Sequence, residues 1–186
     1  MTVVAWLTEG TWEACVDATA ELAPIDVEIA LLYVLDPRIP EAARGAYAGL
    51  VGRGRRWADP GRVIETATEE TAAVLLEAAA ERLGRPCATI TRRGTPEREV
   101  LVVVAATEAT LLVLARDGDR RRLGPHTLAP ETRFIVDHAP SRVLLVWPDE
   151  PPDLSTLPPP PAGHPPAKRA HPPPRPPPRP PDPPER

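Results

Sequence analysis

What most limits the folds open to this chain is an alternation: short apolar runs, each followed by a segment with helical spacing. The runs are Thr2–Leu7, Val27–Leu35, Cys87–Thr91, Thr110–Leu114 and Arg142–Trp147. Between the first two, Thr11 offers an N-cap, and Trp12, Cys15, Val16, Thr19 and Leu22 share a helical face up to Ala23-Pro24. After Asp36-Pro37, Pro40 opens a short helix to about Val51, and Gly52–Trp57 reads as a loop. Asp59-Pro60 gives the next helix start, with Thr66–Glu69 as a later one. Its face is Ile64, Thr68, Thr71, Leu75, Leu76, Ala79 and Leu83, closed by Gly84. Thr95-Pro96 starts a helix to about Thr107, and Ala129–His138 holds the last one. Strands alternating with helices imply parallel pairing with right-handed crossovers. Val27–Leu35 is nearly all apolar, which suits a parallel strand covered on both faces.

Composition breaks the chain in two. Residues 151–186 hold 18 prolines among 36 positions and no aromatic residue, too little apolar surface to offset the entropy of ordering. The expected organisation is therefore an α/β domain over 1–147 and a disordered Pro-rich tail over 148–186. The whole chain carries −4 and the last 36 residues +2, which leaves −6 on the body. An acidic body argues against nucleic-acid binding. Cys15 and Cys87 form neither a disulfide framework nor a zinc pattern. No apolar run reaches 18 residues, and no basic stretch precedes an apolar one at the N-terminus. The expectation is a cytoplasmic protein with no membrane segment.

Several stretches together resemble the universal stress protein family over residues 2–147. They are Leu32-Tyr-Val-Leu-Asp-Pro37, Gly94-Thr-Pro-Glu-Arg-Glu99, Thr110–Leu114 with Asp117-Gly118, and His138-Ala-Pro-Ser-Arg-Val-Leu-Leu-Val146. The resemblance implies an open five-stranded parallel sheet of order 3-2-1-4-5 with helices on both faces. It also implies a homodimer through the last strand, at Val143, Leu145 and Trp147. An apolar edge strand independently needs a partner or a cover.

Some members of that family bind ATP through Gly, two residues, Gly, nine residues, Gly-Ser/Thr. Glycines let the backbone approach phosphate, and a helix N-terminus offers free N–H groups. Here Ala115 stands at the first glycine and Gly118 at the second; the Gly-Ser pair falls on Ala129-Pro130, one residue further along. Proline has no N–H to offer. The acidic position after the first strand falls on Thr8 or Glu9. Glu9, Gly10, Val34, Ala115, Arg116, Gly118 and Ala129 are thus the candidate nucleotide site, with ATP as the candidate ligand. Arg120-Arg-Arg122 could replace the lost amides there, or be a solvated surface.

No catalytic set assembles. His126 and His138 have no nucleophile at recognisable spacing, and His164 and His171 lie in the tail, seven apart and without zinc partners. Within the tail, residues 172–181 match proline-recognition patterns in both orientations, against the plainer reading of a spacer. Trp6 is expected in the core, Trp12 at the top of the first helix and Trp147 on the edge strand. Trp57 could cover the cleft or simply pack on the surface. The reading that results is a non-catalytic stress-response or regulatory protein of the class that does not bind ATP. The alternatives are an ATP sensor with a modified phosphate loop, and an adaptor acting through its tail.

Overall fold

The computed structural model describes residues 1–42 and 60–159. Strands β1 (Thr2–Leu7), β2 (Glu28–Leu35), β3 (Ala88–Arg93), β4 (Leu111–Ala115) and β5 (Arg142–Val146) form one sheet of order β3-β2-β1-β4-β5. Every pairing is parallel, as the alternation with helices requires. The helices are α1 (Trp12–Leu22), α2 (Pro60–Leu83), α3 (Pro96–Ala106) and α4 (Pro130–His138). No described helix is long and apolar enough to cross a membrane.

Period-two alternation divides each central strand between two cores. Val3, Ala5, Leu7, Leu31, Tyr33 and Val113 face α1 and α2; Val4, Trp6, Leu32, Leu112 and Leu114 face α3 and α4. This is why β2 reads as a continuous apolar run: both its faces are covered.

The two edges differ in chemistry. β3 is largely exposed and ends in Arg92 and Arg93, which pair with Glu99 and with Glu65 and Glu69. Charged side chains of this kind discourage a further strand from adding. β5 instead presents half-buried Val143, Leu144, Leu145 and Val146.

Some local expectations need correction. The buried stripe of α2 runs through Ala72, Leu75, Leu76, Ala79 and Leu83; Thr71 is exposed and its hydroxyl donates to the Ala67 carbonyl. Helix α2 begins at Pro60, the earlier of the two proposed starts. Thr11 and Thr95 precede α1 and α3, but neither side chain caps its helix. The Thr11 hydroxyl is bonded to that of Thr8 at 2.7 Å instead. Residues 38–42 are helical; the rest of the helix expected to Val51, the loop with Trp57, and Asp59 lie outside the described residues.

Candidate functional site

The order of strand addition reverses between β1 and β4, which run parallel, so the carboxyl ends of these strands flank the topological switch point where α/β folds place ligands. β1 ends at Leu7, and Gly10 turns the chain into α1 with φ +76, a left-handed conformation costly for other residues. Beside it, the Tyr33 hydroxyl donates to Glu9 Oε1 at 3.1 Å. Burial, and then the Glu9 carboxylate, push the Tyr33 phenol up to about 12. Val34 is buried on the opposite face of β2 from Tyr33, in the α3/α4 core.

The loop from β4 to α4 carries the other four candidates, and three of its backbone N–H groups are bonded within the protein. Arg116 N–H donates to the Val146 carbonyl at 2.9 Å, Gly118 N–H to the Thr127 carbonyl at 3.1 Å, and Asp119 N–H to the His126 carbonyl at 2.8 Å. Gly118 is therefore bonded across the loop rather than turned outward. Its retention has a steric cause as well. A Cβ there would lie 2.2 Å from the His126 carbonyl oxygen and 2.9 Å from Leu128 N, so only glycine lets the two arms of the loop approach this closely.

Asp117, which the sequence motif does not single out, occupies the N-terminus of α4. Its Oδ1 accepts from Ala129 N–H at 2.9 Å and its Oδ2 from the Thr132 hydroxyl at 2.6 Å. Thr132 is fully buried. Negative charge at a helix start is favoured by the macrodipole, and phosphate is favoured there for the same reason. Here the chain supplies its own carboxylate. The only sequence signal for this is Asp117 standing between a β-strand end and a Pro-started helix, a spacing of twelve residues that loop geometry alone could close.

Arg116 is half-buried. One Nη donates to the Thr127 hydroxyl, the guanidinium lies 4.7 Å from the Trp147 ring centroid, and its buried Nε has no partner. Trp147, expected at a dimer edge, is thus also the lid over this arginine. Of the three loop arginines, Arg120 pairs with Asp149 at 2.5 Å, Arg121 reaches Asp119 at 3.5 Å, and Arg122 is exposed.

A second group at the same sheet edge escaped the sequence reading. Arg38, just after β2, lies 2.7 Å from Asp36, 3.5 Å from Glu97 at the start of α3, and 3.8 Å from Glu131 at the start of α4. Burial pushes Asp36 up, but the hydrogen bonds from Arg38 outweigh it and hold the carboxyl below its usual value. Three carboxylates around one guanidinium make this lip of the edge net negative. Glu97 and Glu131 are acidic first-turn residues, recognisable in sequence as dipole partners but not as neighbours.

The described cavities do not gather the candidates into one pocket. Gly118 and Ala129 line a space of about 550 Å³ with His126, Arg133, Phe134 and His138, whereas Glu9 and Gly10 line another of about 550 Å³ with Trp12 and α2. His138 Nδ1–H donates to the Phe134 carbonyl, 2.8 Å away, and the imidazole stacks on the Phe134 ring. Cys15 is fully buried and its thiol is pushed up to about 12 by that burial. His126 is exposed in a short 3-10 turn, Pro125–Thr127. His164, His171 and residues 172–181 lie outside the described residues.

An open parallel sheet of this order, with a loop-to-helix turn at the switch point, defines a class of α/β proteins that place ligands at that turn. A profile of the universal stress protein family matches residues 3–146, and the chain belongs to that family. No curated protein matches it in sequence. Among solved structures it is similar to hypothetical protein MJ0577, at 16% identity over 78% of this chain and 94% of that one, with a TM-score of 0.57. It is similar to a universal stress protein in complex with cAMP, at 14% identity over 80% and 98%, with a TM-score of 0.55. A family protein from Arabidopsis thaliana with AMP bound is similar at 16% identity over 83% and 94%, with a TM-score of 0.52. At these identities the likeness establishes the shared fold.

Proposed function

We propose that this protein is a non-catalytic, homodimeric regulatory member of its family that does not use ATP. The observation that carries the reading is the closed β4–α4 loop. Gly118 and Asp119 give their N–H groups to Thr127 and His126, and Asp117 takes the Ala129 N–H where a phosphate oxygen would compete for it. A triphosphate would have to break these bonds and displace a carboxylate from a helix start. The acidic lip formed by Asp36, Glu97 and Glu131 adds like-charge repulsion. Function then rests on surfaces. The half-buried apolar β5 at one edge, against the charge-guarded β3 at the other, supports pairing of two copies through Val143, Leu145 and Trp147.

Thermal denaturation with ATP and Mg²⁺ tests this. A ligand that binds only the folded form must raise the midpoint by mass action. The expected result is no shift at millimolar ATP, and a reproducible upward shift would sink the reading.

The second reading, a nucleotide sensor with a modified loop, is favoured by two observations. Structural neighbours hold cAMP and AMP, and the buried Nε of Arg116 lacks an acceptor. AMP and cAMP belong in the same titration. An adaptor role for residues 172–181 is tested by deleting them and comparing captured partners.

A further inference from the structure

The stretch that composition assigns to the tail does not leave the domain at once. Residues 149–158 turn back over the β4–α4 loop and meet it at Arg120, Leu123 and beside Gly124. Asp149 Oδ2 pairs with Arg120 Nη1 at 2.5 Å. Leu123 N–H donates to Thr156 Oγ1 at 3.1 Å. The Pro158 ring lies 3.6 Å from where a Cβ on Gly124 would stand.

The segment is locally built to present Thr156. Asp153 accepts from Ser155 N–H at 2.8 Å through its side chain, and its carbonyl accepts the N–H and hydroxyl of Thr156 at 3.0 and 2.6 Å. The Thr156 hydroxyl proton is thereby committed to Asp153, which leaves the oxygen's lone pairs facing the Leu123 amide. Residues 154–156 form a 3-10 turn that fixes this geometry.

The loop needs such a support. Its two arms are joined near the base, at Gly118–Thr127 and Asp119–His126, but Leu123 at the tip donates across to the C-terminal segment. Arg133 reaches the Pro125 carbonyl and Thr127 the Gly124 carbonyl on the returning arm, so what the C-terminal segment adds is a hold at Arg120 and Leu123 on the outgoing arm, against the closure entropy of a polar surface loop. We propose that residues 149–158 are an intramolecular strap that holds the β4–α4 loop in its closed, self-bonded form. The strap stands beside the functional reading above. It rests on that reading only in taking the closed loop as the working state of the protein.

Amide hydrogen exchange on the full-length protein, without ligand, tests it. Thr156→Val removes the acceptor at nearly constant shape, and Asp149→Asn removes the carboxylate charge that pairs with Arg120. In Thr156→Val the Leu123 amide should exchange roughly fivefold faster, the factor for one ordinary hydrogen bond. In the double variant the Gly118 and Asp119 amides should follow, while those of Val4 and Leu112 in the core strands keep their rates. Thr156→Ser should restore protection at Leu123. Equal Leu123 exchange in wild type and Thr156→Val would overturn the strap, and so would a uniform acceleration that includes Val4 and Leu112. Because no nucleotide enters the experiment, its failure is distinct from a failure of the ATP titration.

Discussion

Asp117→Ala is the perturbation that most directly probes why the β4–α4 loop is closed. The substitution strips the Ala129 N–H of its acceptor and leaves the fully buried Thr132 hydroxyl without one. Loss of a side-chain acceptor at a helix start costs about 1 kcal/mol. A stranded buried hydroxyl adds roughly 1–3 kcal/mol, and the lost charge at the positive helix end about 0.3–1 kcal/mol. These are not independent, so the expected total is about 2–4 kcal/mol. For a chain of this size, about 2–4 °C of midpoint per kcal/mol makes a fall on the order of 10 °C.

Asp117→Asn keeps an oxygen for Ala129, but its NH2 can only donate to Thr132, so the Thr132 hydroxyl proton loses its acceptor as the site loses its charge. With that hydroxyl oxygen still bonded, the cost should be about 1–2 kcal/mol and below alanine's. Urea denaturation of the three proteins, read by far-UV circular dichroism, gives the differences directly. Adding Thr132→Val to Asp117→Ala removes the stranded hydroxyl and should recover about 1 kcal/mol or more. If the carboxylate occupies a phosphate's place, inorganic phosphate should stabilise Asp117→Ala and not the wild type, by about 1.4 kcal/mol at ten times its Kd. An alanine cost below about 0.5 kcal/mol, or an asparagine as damaging as alanine, would refute this role for Asp117.

Other outcomes follow from the same geometry. Gly118→Ala must drive apart the two arms of the loop, at a cost of about 1–3 kcal/mol, measurable in the same denaturation series. On the proposed β5 pairing the wild type should run as a dimer and Val143→Glu as a folded monomer, read by light scattering with circular dichroism as the fold control. In a thiol-reagent titration at pH 8, half-buried Cys87 should react in the native protein, whereas Cys15 should react only on unfolding. The Tyr33 phenol is raised from 10.0 to about 12, so the stability tied to its protonated form is complete below pH 10 and is lost as pH climbs toward 12. Absorbance titration at 295 nm should show this late step, and Tyr33→Phe should abolish it.

The sequence was strong where the physics is periodic. Alternating runs and spacings place β1 at Thr2–Leu7 and α1 at Trp12–Leu22, because burial on a sheet or a helix repeats at fixed intervals that composition records. It was weaker where a residue's role depends on something distant in the chain. Thr71 sits at helical spacing from Leu75, yet Ala72 takes the buried place, since the partner surface and not the helix sets where the stripe ends. Residues 148–159 read as tail by composition, yet an ion pair at Arg120 and a hydrogen bond at Leu123 join them to one loop, and composition does not register contacts.

The candidate loop shows the division most clearly. The chain itself determined that Ala115 and Ala129-Pro130 stand where the family's glycines and serine would, and that proline withholds an amide. Only the folded arrangement decided that Gly118 serves close packing of backbone on backbone, that Asp117 takes up the helix start, and that Arg38 draws Asp36, Glu97 and Glu131 together. Hydrogen bonds and charge pairs act over a few ångströms in space, between residues as far apart along the chain as Arg38 and Glu131. Neither spacing nor propensity encodes such a distance, and the fold supplies it.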